Sequence, residues 1–389
     1  MRICILTPRF PFPENGGDVL RINHIARYLK SRGHELVLVS FCESRGCDKK
    51  AAQELYDKVY VVRRHALVSL CFSLLFWLAG KPIQCGYYYS PFFRRKFREV
   101  VRAERPGLYV AHLLRMVPYL EQLRLQGSSV VEMTDALSKT YSMSAGAKGG
   151  MLKRMVYGVE QRLIGRFEHH VVHTFPKVVL VSRSDMDFLK TSCRADFSSL
   201  ALHTNGVDCA VPVSSGYKAS KLCFIGNMRT LQNQDAVLHF ADDIFPLILK
   251  RIPDAVFYVV GAEPPRRILE LAEREHIVVT GFVDDLGAVI SDACLAVAPV
   301  RVAAGIQNKV LVAMAAGLPV VMTSMISQAI PELCHGENCL IHDDAESFAG
   351  ACVRVMGDES FRGMLSVRGR EMVRSHYSWE EKLRGYEVL

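Results

Sequence analysis

Residues Ala303 to Val321 read AAGIQNKVLVAMAAGLPVV, and the order of residue types in this stretch decides the fold class. Gly305 closes a loop, an amphipathic helix is expected to about Ala316, Gly317 stops it, and a strand, PVVMTS, begins at Pro319. A helix, a glycine stop and an apolar strand in that order make one repeat of an α/β domain. The unpaired backbone N–H groups and the helix macrodipole make the helix start a ready anion site. Lys309, one turn in, places a full positive charge beside it. The segment fits an ordinary α/β unit as well as an anion site, so the rest of the chain has to decide.

The same rhythm runs from end to end. RICIL, ELVLVSF, KVYVV, LYVAH, SVVEM and KVVLVS read as strands in the first half, with helical patterns between most of them. A second series runs KLCFIGN, AVFYVVG, HIVVTGF, LAVAPV and LPVVMTS. Between the two lies HTNGVDCAVPVSSGYKAS, whose Gly, Ser and Pro content marks a linker. The expected architecture is α/β: two Rossmann-like, doubly wound domains facing a central cleft, with ligands at the carboxyl ends of the strands. The boundaries expected are 1–210, 211–371, and a last helix over 372–389 that crosses back onto the first domain.

Composition narrows the class. A chain of 389 residues, half of them hydrophobic, suits two domains and is globular throughout. Twelve cysteines without a CxxC pair point to a reducing compartment, and the start of the chain lacks the pattern of a signal peptide. The longest uncharged run, Ala66–Gly80, would give a helix of about 22 Å, short of the roughly 30 Å hydrocarbon core, so a buried or interfacial helix is expected there. Residues 1–210 hold 31 Lys and Arg against 18 Asp and Glu, a net of +13, whereas residues 211–389 hold 17 against 22. The basic half is expected to meet an anionic surface or ligand, and no zinc-finger or ribonucleoprotein motif directs it to nucleic acid. Ser90–Arg102, SPFFRRKFREVVR, interleaves three phenylalanines with basic side chains, as an interfacial helix or an amphipathic core helix would.

Candidate site residues follow from their places after strands. Gly16 and Gly17 precede the first helix, where bare backbone can approach a ligand, and Asp18 and Arg21 follow on it. His112 and Arg115 come after one strand, Asp135 and Ser138 after the next, and Asp135 is placed to orient or deprotonate a hydroxyl. In the second half Asn227 and Arg229 follow FIG, Phe282 and Val283 follow HIVVTG, and Arg301 follows LAVAPV. His169, His170 and His173 read as a solvated helix face, and the Cys334, His335, Cys339 cluster as part of a helix-to-loop segment.

These motifs together resemble GT-B glycosyltransferases of family 4, the group 1 glycosyl transferases. FIGNMRTLQNQDAV is similar to a signature of sugar transferases from exopolysaccharide clusters. NGVD at 205–208 and the AGIQNK stretch match in order as well. The resemblance implies a retaining transferase that moves a hexose from a UDP- or GDP-sugar to a lipid-linked or glycan acceptor in bacterial polysaccharide or lipopolysaccharide synthesis. It implies a cytoplasmic protein, peripheral on the inner membrane and drawn to its anionic surface, with no metal or other cofactor and no nucleic-acid partner. Carried over residue by residue, Lys309, Arg301, Gly305, Ile306 and Asn308 would meet the donor diphosphate, and Phe282 and Val283 the nucleobase. Asp135 and His112 would serve the acceptor side. The family also places two glutamates eight positions apart where this chain has Ala304 and Val312. A valine accepts no hydrogen bond from a ribose diol. The alternatives are therefore a catalytically impaired GT-B partner protein in a polysaccharide assembly, or a GT-B sugar-nucleotide epimerase.

Overall fold

The computed structural model describes residues 1–14, 16–42, 47–145, 151–193, 198–209, 218–301 and 306–387. The chain divides into two units, Met1–Asn205 with Leu383–Leu389, and Gly206–Lys382. Each is a parallel sheet wrapped by helices.

In the first unit the strands are β1 (Arg2–Thr7), β2 (Glu35–Cys42), β3 (Lys58–Arg63), β4 (Leu108–His112), β5 (Ser129–Thr134), β6 (Lys177–Leu180) and β7 (Leu200–Leu202). They lie in the order β3-β2-β1-β4-β5-β6-β7, every pair parallel. The apolar runs seen in sequence are the central strands, because strands covered by helices on both faces must be apolar throughout. The chain starts at β1, builds outward to β3, then returns to lay β4 on the other side of β1. This reversal is the topological switch point.

The second unit repeats the plan with β8 (Lys218–Ile225), β9 (Val256–Val260), β10 (Ile277–Gly281), β11 (Ala293–Ala298), β12 (Val320–Met322) and β13 (Leu340–Ile341), in the order β10-β9-β8-β11-β12-β13. Its switch point lies between β8 and β11. The opening stretch forms a helix over Asn308–Ala315, stopped by Gly317 at φ 80° before β12. Two short strands, β7 and β13, were not legible as strands. At two or three residues they carry too little periodicity to register.

Three expectations need correction. The units part at Asn205–Gly206 rather than after residue 210. Val207 N–H donates to the Tyr377 carbonyl, and a Cβ on Gly206 would stand 2.4 Å from Trp379, which ties this edge of the linker to the second unit. Second, no single helix spans 372–389. A long helix over Glu359–Tyr377 buries Leu365, Met372 and Val373 in the second core, and a four-residue helix, Trp379–Lys382, follows it. Only Leu383–Leu389 rejoins the first unit, where Lys177 Nζ donates to the carbonyls of Gly385 and Tyr386, both at 2.8 Å. Third, Cys42 and Cys47 are joined by a disulfide, with Cα atoms 6.2 Å apart, where scattered cysteines had implied thiols throughout.

Ser90–Arg102 resolves as the amphipathic core alternative. The helix Pro91–Glu104 buries Phe93, Phe97 and Val100 and leaves Phe92 exposed. Ala66–Leu78 is instead a helix with most of its leucines in solvent, and only Ser69 fully buried. Among the described residues no helix is long and apolar enough to cross a membrane.

Candidate functional site

In the second unit the carboxyl ends of β8, β9 and β11 hold most of the candidate residues. Gly226 follows β8 and Gly261 follows β9. A Cβ on Gly261 would lie 1.8 Å from the Gly226 carbonyl oxygen, and its φ of 156° suits glycine alone. The two strand ends therefore meet as bare backbone, which leaves the floor of the site open. Asn227 builds the next turn: its Oδ1 accepts the Arg229 N–H at 2.8 Å, and its carbonyl accepts from Asn233 Nδ2 at 2.8 Å. The Asn227 Oδ1 is thus engaged in forming the turn.

Lys309 sits one residue into the Asn308–Ala315 helix and points inward. Its ammonium donates to Asn233 Oδ1 and lies 4.7 Å from the centre of the Phe224 ring. Among the described residues no carboxylate pairs with it, and burial pushes its pKa down to about 8. A half-buried cation beside an amide and a ring face, with no carboxylate paired to it among the described residues, suits an anionic ligand. Gln307 is buried just before it, while Asn308 and Ile306 are exposed at the helix start. Gly305 lies outside the described residues.

Arg301 and Arg229 depart from expectation. The Arg301 guanidinium forms a fork on Asp235, with N···O distances of 2.6 and 3.1 Å, so its charge is already answered. Arg229 is largely in solvent, 3.5 Å from Glu263. Phe282 is 72% exposed, available as a flat face, and Val283 packs against the core edge. Val312 is half-buried at the edge of the same core. Asn233 and Asp235, which orient Lys309 and Arg301, had stood in the sequence only as matches to the FIGNMRTLQNQDAV signature.

In the first unit a cavity of about 360 Å³ opens at the ends of β4 and β5, lined by Arg9, Gly17, Asp18, Arg115 and Asp135 among others. Gly16 takes φ 119° just before the Gly17–Ser31 helix. Asp18 pairs with Arg9 rather than capping the helix. Leu113 and Thr134 both adopt positive φ, 68° and 71°, a conformation that costs a non-glycine residue about 1–2 kcal/mol. The kink at Thr134 turns Asp135 to the cavity. Burial and the charge of Asp185 raise the pKa of Asp135, which favours a proton-accepting role at neutral pH.

Arg21, a candidate site residue on the first helix, is closed to a ligand. It is 1% exposed, with Nε donating to Glu132 Oε1 at 2.9 Å, Nη1 to Asn205 Oδ1 at 3.0 Å and Nη2 to the His203 carbonyl at 2.8 Å. Every arm of the guanidinium is engaged in holding the sheet to the segment before the unit boundary. His112 is also displaced from its expected role. It is buried and does not line the cavity, and burial pushes its pKa down to about 3, so the ring is neutral. Ser138 is taken by Glu168, which caps the following helix through the Ser138 N–H and Oγ. His169, His170 and His173 are exposed, and among the described residues no group of three or more His, Cys, Asp or Glu side chains could hold a metal.

Two doubly wound parallel sheets, one per unit and each with its switch point bordered by candidate ligands, define the GT-B class of fold. Crystal structures of the Anabaena protein HepE in complex with UDP (TM-score 0.63, 12% identity, 99% of this chain and 98% of that one) have the same fold. So do sucrose-phosphate synthase from Thermosynechococcus elongatus (TM-score 0.59, 16% identity, 100% and 98%) and WaaG, a glycosyltransferase involved in lipopolysaccharide biosynthesis (0.58, 15%, 99% and 99%). A Klebsiella pneumoniae relative, an uncharacterized 44.6 kDa protein in the cps region, is 19% identical over 90% of this chain and 89% of its own. Residues 219–358 match the family model of glycosyl transferases group 1. The matched stretch lies wholly within the second unit.

Proposed function

We propose that this chain is a retaining glycosyltransferase that moves a hexose from a UDP- or GDP-sugar to a lipid-linked or glycan acceptor in bacterial polysaccharide or lipopolysaccharide synthesis. The observation that carries the reading is Lys309, a half-buried ammonium with no carboxylate partner among the described residues, at the start of a helix beside the β8–β11 switch point. A sugar diphosphate there would supply the missing charge, and the first-turn N–H groups would add to it. HepE has been crystallised with UDP and with UDP-glucose, which supports the donor class. The cps-region relative supports the pathway.

As the bond from the sugar C1 to the diphosphate oxygen breaks, charge grows on the leaving diphosphate, and Lys309 with the helix N-terminus stabilises it. The acceptor oxygen bonds to C1, and its proton passes to Asp135 or to a donor phosphate oxygen. No metal is required in this scheme. The exposed leucine face of Ala66–Leu78 and the basic first unit support peripheral attachment to an anionic membrane on the cytoplasmic side.

A second reading, an impaired GT-B partner protein, is favoured by Val312 alone, since a valine cannot take the ribose hydroxyls. Incubating the protein with UDP-, GDP- and dTDP-sugars separates the two. Release of a nucleoside diphosphate supports the enzyme; failure to bind any of the three supports the impaired partner.

A further inference from the structure

A second cavity of the first unit, about 350 Å³, shares only Arg115 with the cavity that holds Asp135. Its walls include Ser73 of the Ala66–Leu78 helix, Gln84, Tyr88, Tyr141, Tyr157, Arg115 and the buried carboxylate of Glu160, whose two oxygens are already engaged by the Ile83 and Gln84 N–H groups at 2.9 and 3.1 Å. Tyr141 and Tyr157 meet edge to face at 5.5 Å. Arg115 donates from Nε to Gln84 Oε1 at 2.9 Å and lies 5.1 Å from the centre of the Tyr88 ring. Two buried polar atoms on the wall, Ser73 Oγ and Gln84 Nε2, have no hydrogen-bond partner among the described residues. Buried polar atoms are seldom left so, because each costs about 1–3 kcal/mol. Flat rings, a guanidinium and unsatisfied donors together suit a polar, anionic group attached to a sugar ring.

The same wall has a second side. Ser73 lies on the inner face of its helix, where Phe72 and Phe76 pack against the core. On the outer face Leu67, Leu70, Leu74 and Leu78 are 80%, 62%, 55% and 69% exposed. Their spacing of three and four residues makes one stripe, about 16 Å long at 1.5 Å per residue. Basic residues adjoin it in sequence, Arg63 and Arg64 before and Lys81 after. An apolar stripe with basic residues at both ends beside a polar, arginine-bearing cavity has the layout of an amphiphile's binding site. Arg115 also lines the cavity that holds Asp135, so one guanidinium borders both chambers.

We propose that this cavity takes the phosphate-bearing head of a lipid-linked saccharide whose chain lies along the leucine stripe. The proposal rests on the glycosyltransferase reading and narrows its acceptor class from lipid-linked or glycan to lipid-linked. Arg115 holds a phosphate oxygen, and the tyrosine faces hold a sugar ring.

The test uses the full chain and three sets of phosphatidylcholine vesicles, carrying farnesyl phosphate, farnesol, or phosphatidylglycerol at the same charge as the farnesyl phosphate. Retention by farnesyl phosphate vesicles is expected to exceed that by either other set by at least about tenfold, the scale of one charge-assisted contact. Arg115→Gln should abolish that preference and leave phosphatidylglycerol binding in place, while Leu70→Glu with Leu74→Glu, at exposed sites, should abolish retention by every set. Equal retention by farnesyl phosphate and phosphatidylglycerol vesicles, or a preference that survives Arg115→Gln in a protein with an unchanged melting curve, would overturn the proposal. UDP binding measured on the same samples keeps the two readings apart. UDP binding with no farnesyl phosphate preference defeats the lipid inference alone, and the converse defeats the donor reading alone.

Discussion

At the scale of single residues the site is decided by which charges are already answered. Arg21, Arg301 and Lys309 are all cations placed after strands or at helix starts, and in sequence they look interchangeable. In the fold Arg21 is locked by Glu132 and Arg301 by Asp235, and of the three Lys309 alone has no acid among the described residues. The Arg21 partners lie 111 to 184 positions away, which no local pattern carries. Val312 can be tested directly, because it is half-buried at the core edge and not sealed within it. Val312→Glu is expected to tighten UDP or GDP binding, since one or two hydrogen bonds from a charged acceptor contribute about 1.5–3 kcal/mol, up to roughly a hundredfold in affinity. Calorimetry beside a melting curve checks it. A lower melting temperature without tighter binding would mean that the glutamate is buried unpaired and that the ribose pocket has been rebuilt.

At the scale of elements, the long parallel strands and the Asn308–Ala315 helix were legible because apolar runs and a glycine stop mark them directly. The strand ends that shape the site were not. Leu113 and Thr134 carry positive φ with nothing in their residue type to announce it, and the raised carboxyl of Asp135 reflects burial and the charge of Asp185, 50 positions along the chain. Ala66–Leu78 shows the other limit: its uncharged run gave the helix, yet burial or exposure of the leucines depended on packing partners far along the chain. Gly261 offers a test of the β8–β9 junction. Gly261→Ala places a Cβ 1.8 Å from the Gly226 carbonyl, so the strand ends must part. The expected cost is about 2–3 kcal/mol of stability, with nucleotide binding lost in the fraction that remains folded. A variant that melts and binds like the wild type would show that this junction does not shape the site.

At the scale of the whole molecule, charge and function divide between the units. The first carries the net positive charge and the exposed leucine helix, and the second, net negative, carries the stretch that matches the group 1 glycosyl transferase model. On the proposed function, an acidic unit would bind a sugar diphosphate through a local feature, and Lys309 would supply it. At pH 8 its pKa of about 8 leaves it half-charged, whereas the terminal phosphate of a nucleoside diphosphate is already ionised. An anion bound beside the ammonium raises that pKa, so binding must draw in a proton. The decisive measurement is calorimetric titration of UDP and GDP at pH 8 in buffers of different ionisation enthalpy, on wild type and Lys309→Ala. The account predicts uptake of up to about half a proton per nucleotide bound by the wild type. In Lys309→Ala the uptake should vanish and affinity fall by at least about tenfold. Nucleotide binding without proton uptake, or of equal strength in Lys309→Ala, would contradict it.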